Sequence, residues 1–114
     1  MDTPLATLRP TPSAEVHTSP SHTILTLRGE IDAASAPDFA AAVTAAEQAA
    51  RPTTVHAGAV TFMDSSGIAL LARLATRTPG RLRLVDPPEV VQFLLSVTRI
   101  GDMVEIVAGG DSAT

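Results

Sequence analysis

Apolar and polar residues alternate along Ala14-Glu15-Val16-His17-Thr18 and again along Thr23-Ile24-Leu25-Thr26-Leu27-Arg28, the period of strands with one face in a core. In the second run Leu25 and Leu27 share a face and Ile24 points outward. Ser19-Pro20-Ser21-His22 between them has turn chemistry, so the two runs predict a β-hairpin. The period then becomes helical. Ser35 is placed as N-cap, Pro37 sits in the first turn, and Asp38 complements the positive helix end. Phe39, Val43, Ala46 and Ala50 recur at helical spacing before Arg51-Pro52 ends the pattern. Thr53 to Ala57 is β-prone and bracketed by Pro52 and Gly58, which predicts a buried strand running on through Ala59 to Phe62 and completing a βαβ unit.

A second helical pattern follows Asp64, with Ile68, Leu71, Ala72 and Ala75 on one face, Arg73 and Arg77 towards the negative end, and Pro79-Gly80 as the stop. Arg81-Leu82-Arg83-Leu84-Val85 alternates as a strand. Asp86-Pro87-Pro88-Glu89 then reads as a cap followed by first-turn prolines, opening a third helix that turns Val90, Val91, Leu94, Leu95 and Val97 inward. Met103 to Val107 is a last short strand. The order ββαβαβαβ predicts an α/β fold, a mixed β-sheet with helices packed against it, in a single domain over residues 14–107. Residues 1–13 read as a poorly ordered N-terminal arm rich in Thr and Pro, in which Leu5 to Arg9 is a candidate edge strand. Residues 108–114 read as a small-residue C-terminal tail.

Composition narrows the chemistry. A chain of 114 residues holds one core and leaves little room for a large cofactor, and none is expected. The absence of cysteine removes disulfides and thiolate metal sites. The start Met1-Asp2-Thr3-Pro4-Leu5-Ala6 has no signal-peptide pattern and the apolar runs are too short to span a bilayer, so a cytoplasmic protein without membrane insertion is expected. Net charge is −4, and all eight basic residues are arginines without a run, which argues against direct nucleic-acid binding. Without lysine there is neither a P-loop phosphate ligand nor a Schiff-base amine. With three phenylalanines as the only aromatics, a base-stacking platform is missing as well.

The chemistry concentrates where the apolar stretch Thr61-Phe62-Met63 stops at Asp64-Ser65-Ser66-Gly67. Asp64 is a good N-cap, and Ser65 and Ser66 then occupy the first helical positions at a positive helix end, where a phosphate is stabilised by the macrodipole. The same residues also suffice as a plain helix start. A nucleophilic serine is disfavoured, since the Gly-x-Ser-x-Gly elbow is absent and His17, His22 and His56 all lie upstream in strands or turns; no catalytic residue is assigned. Nor do those histidines have metal-ligand spacing, so no metal is expected.

Gly29-Glu30-Ile31-Asp32 before the Ser35 to Phe39 helix start, together with Phe62-Met63-Asp64-Ser65-Ser66-Gly67, resembles the STAS domain of bacterial anti-sigma factor antagonists, over about Ala14 to Val107. The resemblance implies that Ser65 is phosphorylated by an anti-sigma factor that is itself an ATP-dependent serine kinase, and that only the unphosphorylated form binds this partner and releases the sigma factor. It also implies a serine phosphatase as a second partner. Asp64, Ser66 and Gly67 would frame the phosphosite, with Asp32 nearby in the partner-binding surface, although Asp32 reads equally as a turn residue. Two positions depart from the family pattern. His56 stands where an acidic or amide residue is common and reads as a structural strand residue. Arg99 replaces a helix-ending glycine, and a residue other than glycine there resists the left-handed conformation, which leaves the form of this helix end open unless Gly101 supplies the position after it. The alternative function on the same fold is an accessory or scaffold module, not phosphorylated, in a transport or stress-signalling assembly.

Overall fold

Thr23, at the foot of the second strand, donates its backbone N–H to Pro52 O at 2.9 Å, and from this tie the sheet spreads to both sides. In the computed structural model, which describes residues 12–109, five strands form one sheet in the order β1-β2-β3-β4-β5. Strands β1 (Ser13–Thr18) and β2 (Thr23–Ile31) form the expected antiparallel hairpin, closed by Ser19 N–H to His22 O at 2.8 Å. Strands β3 (Thr53–Met63), β4 (Leu82–Val85) and β5 (Val104–Val107) are added in turn, each parallel to the last. Helices α1 (Ala36–Ala49), α2 (Ser65–Arg77) and α3 (Glu89–Thr98) make the crossovers. Because such crossovers are right-handed and every parallel strand joins on the same side, all three helices lie on one face of the sheet. The expected mixed sheet and α/β class are therefore present, with one core cluster between sheet and helices. The arm's candidate strand at Leu5 to Arg9 lies outside the described residues, as do residues 110–114 of the tail.

The core is aliphatic: Leu25, Leu27 and Ile31 from β2, Val55 and Met63 from β3, Leu82 and Leu84 from β4, with Phe39, Val43, Leu71, Leu74, Val91 and Leu95 from the helices. Each such side chain contributes about 1.5–3 kcal/mol on burial. As expected, Ile24 faces away from this core. Ala50 does not continue the buried stripe of α1, because it is the left-handed C-cap residue (φ 55°) and is exposed. In α2 the fourth buried position is Leu74, while Ala72 and Ala75 are half-buried at its flank. Val97 is 58% exposed, since the α3 stripe that enters the core is Val91 and Leu95.

Helix ends differ as well. Pro88, not Asp86, is the N-cap residue of α3; Asp86 takes φ 53° and accepts a 2.7 Å bond from Gly109 N–H, pinning the end of the described chain. Arg99 itself adopts the left-handed conformation (φ 65°), while Gly101 belongs to a short 3-10 helix, Ile100–Met103, which takes Met103 from the expected last strand.

Strand β3 breaks the simple alternation twice. Its register with β2 skips between Thr26↔His56 and Arg28↔Ala59, and again between Gly29↔Val60 and Glu30↔Phe62, so β3 carries one extra residue near Gly58 and another at Thr61. After each bulge the inward face shifts by one residue, so that Val60 and Met63 are both buried and Phe62 is 44% exposed. The buried strand expected through Phe62 is thus present, but its last aromatic points outward.

Helices α1 and α2 are stapled at the end remote from the Asp64 junction. Arg73 Nε donates to Glu47 Oε2 at 2.6 Å, and Nη2 donates to Glu47 Oε1 at 3.0 Å and Thr44 Oγ1 at 2.8 Å. The hydrogen bond and the charge of Arg73 hold the Glu47 carboxyl below its ordinary value of 4.5, against the opposing effect of burial. A depressed carboxylate stabilises the fold above its unfolded pKa and ceases to do so as pH falls through the folded value. Glu47→Gln is therefore expected to lower stability by about 1–2 kcal/mol at pH 7, with the difference from wild type closing below pH 4.5; urea titrations across that range check it.

Candidate functional site

The site forms where β2 and β3 end side by side. Ile31 and Met63 are paired in register, and Asp64 N–H donates to Ile31 O at 3.1 Å, fixing the two following aspartates on neighbouring strand ends. Each aspartate starts a helix by a different route. Asp64, with an extended backbone, accepts Ser66 N–H on Oδ1 at 2.8 Å, while its carbonyl accepts from Gly67 and Ile68 at 3.1 and 3.2 Å. This is the N-cap read from the sequence, satisfying donors that a helix start leaves open. Asp64→Ala is expected to cost about 0.5–2 kcal/mol, measured by thermal or urea unfolding, with the fold retained.

Asp32 uses its carboxylate inside a turn. Its Oδ1 accepts from Ala34 N–H at 3.1 Å and Ser35 N–H at 3.0 Å. Ser35 stands at the N-cap position of α1 but does not cap: its hydroxyl donates to Glu30 O at 2.8 Å and accepts Asp32 N–H at 3.1 Å. The turn reading of Asp32 is therefore correct as to its hydrogen bonds, and the carboxylate lies half-buried at the same sheet end as Asp64.

Ser65 is the first residue of α2 and is exposed, whereas Ser66 is half-buried. Gly67 is fully buried, and a Cβ there would overlap Met63 Cγ and come within 2.9 Å of Ile31 Cγ2. It belongs to the packing under the site, beside an apolar cavity of about 10 Å³ that has no room for a cofactor. His56 lies on the strand between Thr26 and Val85, well away from Asp64. Among the described residues no group of three His, Cys, Asp or Glu side chains is arranged to hold a metal ion, and no helix is long and apolar enough to cross a membrane.

The outward Phe62 is not legible in the strand pattern, since its position depends on the bulge at Thr61. Gly58, a glycine inside a strand pattern, signals the first bulge, whereas no residue type marks the second at Thr61.

The arrangement of two strand ends leading into two helix N-termini recurs in known proteins. Residues 14–106 match the family model described as Mlab, STAS domain. The chain belongs to the STAS domain family. This STAS domain superposes on an anti-sigma factor antagonist from Mycobacterium paratuberculosis with a TM-score of 0.73 at 20% identity, covering 84% of this chain and 85% of that one. It is similar to an anti-sigma-factor antagonist (STAS) domain protein from Planctomyces limnophilus, with a TM-score of 0.70 at 17% identity over 91% and 96% of the two chains. It also resembles the Bacillus cell fate determinant SpoIIAA in its phosphorylated form, with a TM-score of 0.67 at 19% identity over 88% and 96%. At these identities the likeness is one of fold. No curated protein matches the chain.

Proposed function

We propose that this STAS domain is an anti-sigma factor antagonist, a binding protein and not an enzyme, whose unphosphorylated form binds an anti-sigma factor with ATP-dependent serine kinase activity and so releases the sigma factor. Phosphorylation of Ser65 switches it off, and a serine phosphatase resets it in the cytoplasm. The observation that carries this reading is the setting of Ser65: an exposed hydroxyl on the first residue of a helix that Asp64 already caps. A phosphate there adds about −1.5 to −2 charge at a positive helix end, so the helix survives modification while the surface gains negative charge and a tightly held hydration shell. An apolar partner face, compatible with the hydroxyl, would have to desolvate the phosphate. The phosphorylated form of a structurally similar protein, SpoIIAA, supports the same reading. Asp32, Asp64 and Ser66 surround Ser65 as the partner-binding surface, with Gly67 supporting it from below.

Affinity capture from cells tests the proposal. The unphosphorylated domain should recover a small ATP-binding kinase that transfers phosphate to Ser65. Recovery of transport-complex subunits, with no phosphorylation on addition of ATP, would favour the scaffold function instead.

A further inference from the structure

We infer that Phe62 is the anchor by which the partner kinase holds this domain, its ring entering an apolar socket edged by basic side chains on the partner. The inference rests on the function proposed above and identifies the contact beside the phosphosite. A single exposed phenylalanine is ordinary in itself. Phe62 is outward for a specific reason, because Thr61 is an extra residue in β3. Were Thr61 paired as an ordinary strand residue instead of bulged out, alternation would place Phe62 on the core face with Val60 and turn Met63 out. The bulge thus presents the largest apolar side chain of the strand end to solvent and gives the core position to Met63. Bulges commonly re-aim a side chain beside a functional site. Phe62 and Ser65 are three residues apart, so their Cα atoms are at most about 11 Å from each other, within one interface.

Charge defines the edge of this surface. Glu30 is the register partner of Phe62, and Asp32, Asp38 and Asp64 start the two helices at the same end of the sheet. Among the described residues none of these four carboxylates has an ion-pair partner; Arg28, Arg73 and Arg83 pair with Glu15, Glu47 and Glu105. Arg51, Arg77, Arg81 and Arg99 adjoin helix C-termini and strand starts at the opposite end. An aromatic ring at a sheet end whose carboxylates have no arginine partner among the described residues fits an apolar socket with arginine or lysine around it, and buried aromatics dominate such interfaces. Phosphate on Ser65 still causes release. Exposed ion pairs gain little, whereas stripping water from a phosphate against the socket costs much more.

The test places the photo-crosslinker p-benzoylphenylalanine at position 62 in living cells, with Ala69, exposed on α2, and Phe93, 63% exposed on α3, as comparison positions. Phe62→Ala is titrated in parallel against the purified crosslinked partner over a range of salt concentrations. Expected are an adduct between position 62 and a nucleotide-binding kinase, none from position 93, an affinity loss of about tenfold or more for Phe62→Ala at unchanged melting temperature, and weaker wild-type binding as salt rises. If position 69 captures the kinase while 62 does not, and Phe62→Ala binds normally, the anchor is refuted and the proposed function stands. Salt-independent binding refutes the basic edge. An adduct from position 62 to a protein that is not a kinase refutes both the function and the partner named here, and absence of any adduct from 62 and 69 does the same. Should Phe62→Ala fail to fold, the crosslinking pattern still decides.

Discussion

Ser65→Ala is expected to stay bound to the partner kinase in the presence of ATP, while the wild-type domain is phosphorylated and released with at least about tenfold weaker affinity. The physical basis is the contrast between a small exposed hydroxyl, which an apolar partner face can cover, and a phosphate dianion at the same place, which that face would have to strip of water. Ser65→Asp should weaken binding in the same direction. The far-UV circular dichroism of the phosphorylated domain should match that of the unmodified one, because negative charge at the first turn of α2 suits the helix dipole. Intact-mass and fragment spectra after incubation with kinase and ATP locate the phosphate. A phosphate on half-buried Ser66 would refute the assignment, and loss of helical signal would refute the mechanism.

Gly67→Ala is expected to destabilise the domain by about 1–3 kcal/mol, even though alanine is the better helix former by about 1 kcal/mol. The added methyl overlaps Met63 Cγ and lies 2.9 Å from Ile31 Cγ2, and both side chains are fixed in the core between β2, β3 and α2. Relief requires α2 to lift from the strand ends, which would also displace Ser65. Each kcal/mol lost should lower the melting temperature by about 4–8 °C in a domain of this size. Shortening the obstructing side chain with Met63→Ala should make the double variant less destabilised than the sum of the singles, since the two sites share one contact. Full additivity would show that the close approach does not determine the cost. Partner affinity should fall with stability in Gly67→Ala, in contrast to Ser65→Ala, which should leave melting unchanged.

The local signals at the Asp64 junction were legible in the chain because they need only nearest neighbours. An aspartate followed by two hydroxyls and a helical period is an N-cap in any tertiary setting, and the observed bond from Ser66 N–H to Asp64 confirms it. The hairpin, the three crossover helices and the α/β class follow equally from periods of two and 3.6, which the packing of one face dictates. Ser35 shows where this reasoning stops. It has the residue type and position of a cap, yet Asp32 already binds the Ser35 amide and the Ser35 hydroxyl is drawn back to Glu30 O, a competition that appears only when the turn has closed.

Local residue patterns carry the order of elements, the inward Leu25 and Leu27 of β2, the Phe39, Val43 and Ala46 stripe of α1 and the place of Ser65 at a helix start. The tertiary structure decided which side of β3 each residue shows after two bulges, and hence that Phe62 faces solvent and Met63 the core. It also decided that Gly67 is a contact point between α2 and two strand ends, and that Arg99 rather than Gly101 takes the left-handed turn. The physical reason is common to all three. Bulges, close approaches and helix ends are settled by how separate segments fit against one another, and a strand's period of two carries no record of a residue its neighbour does not match.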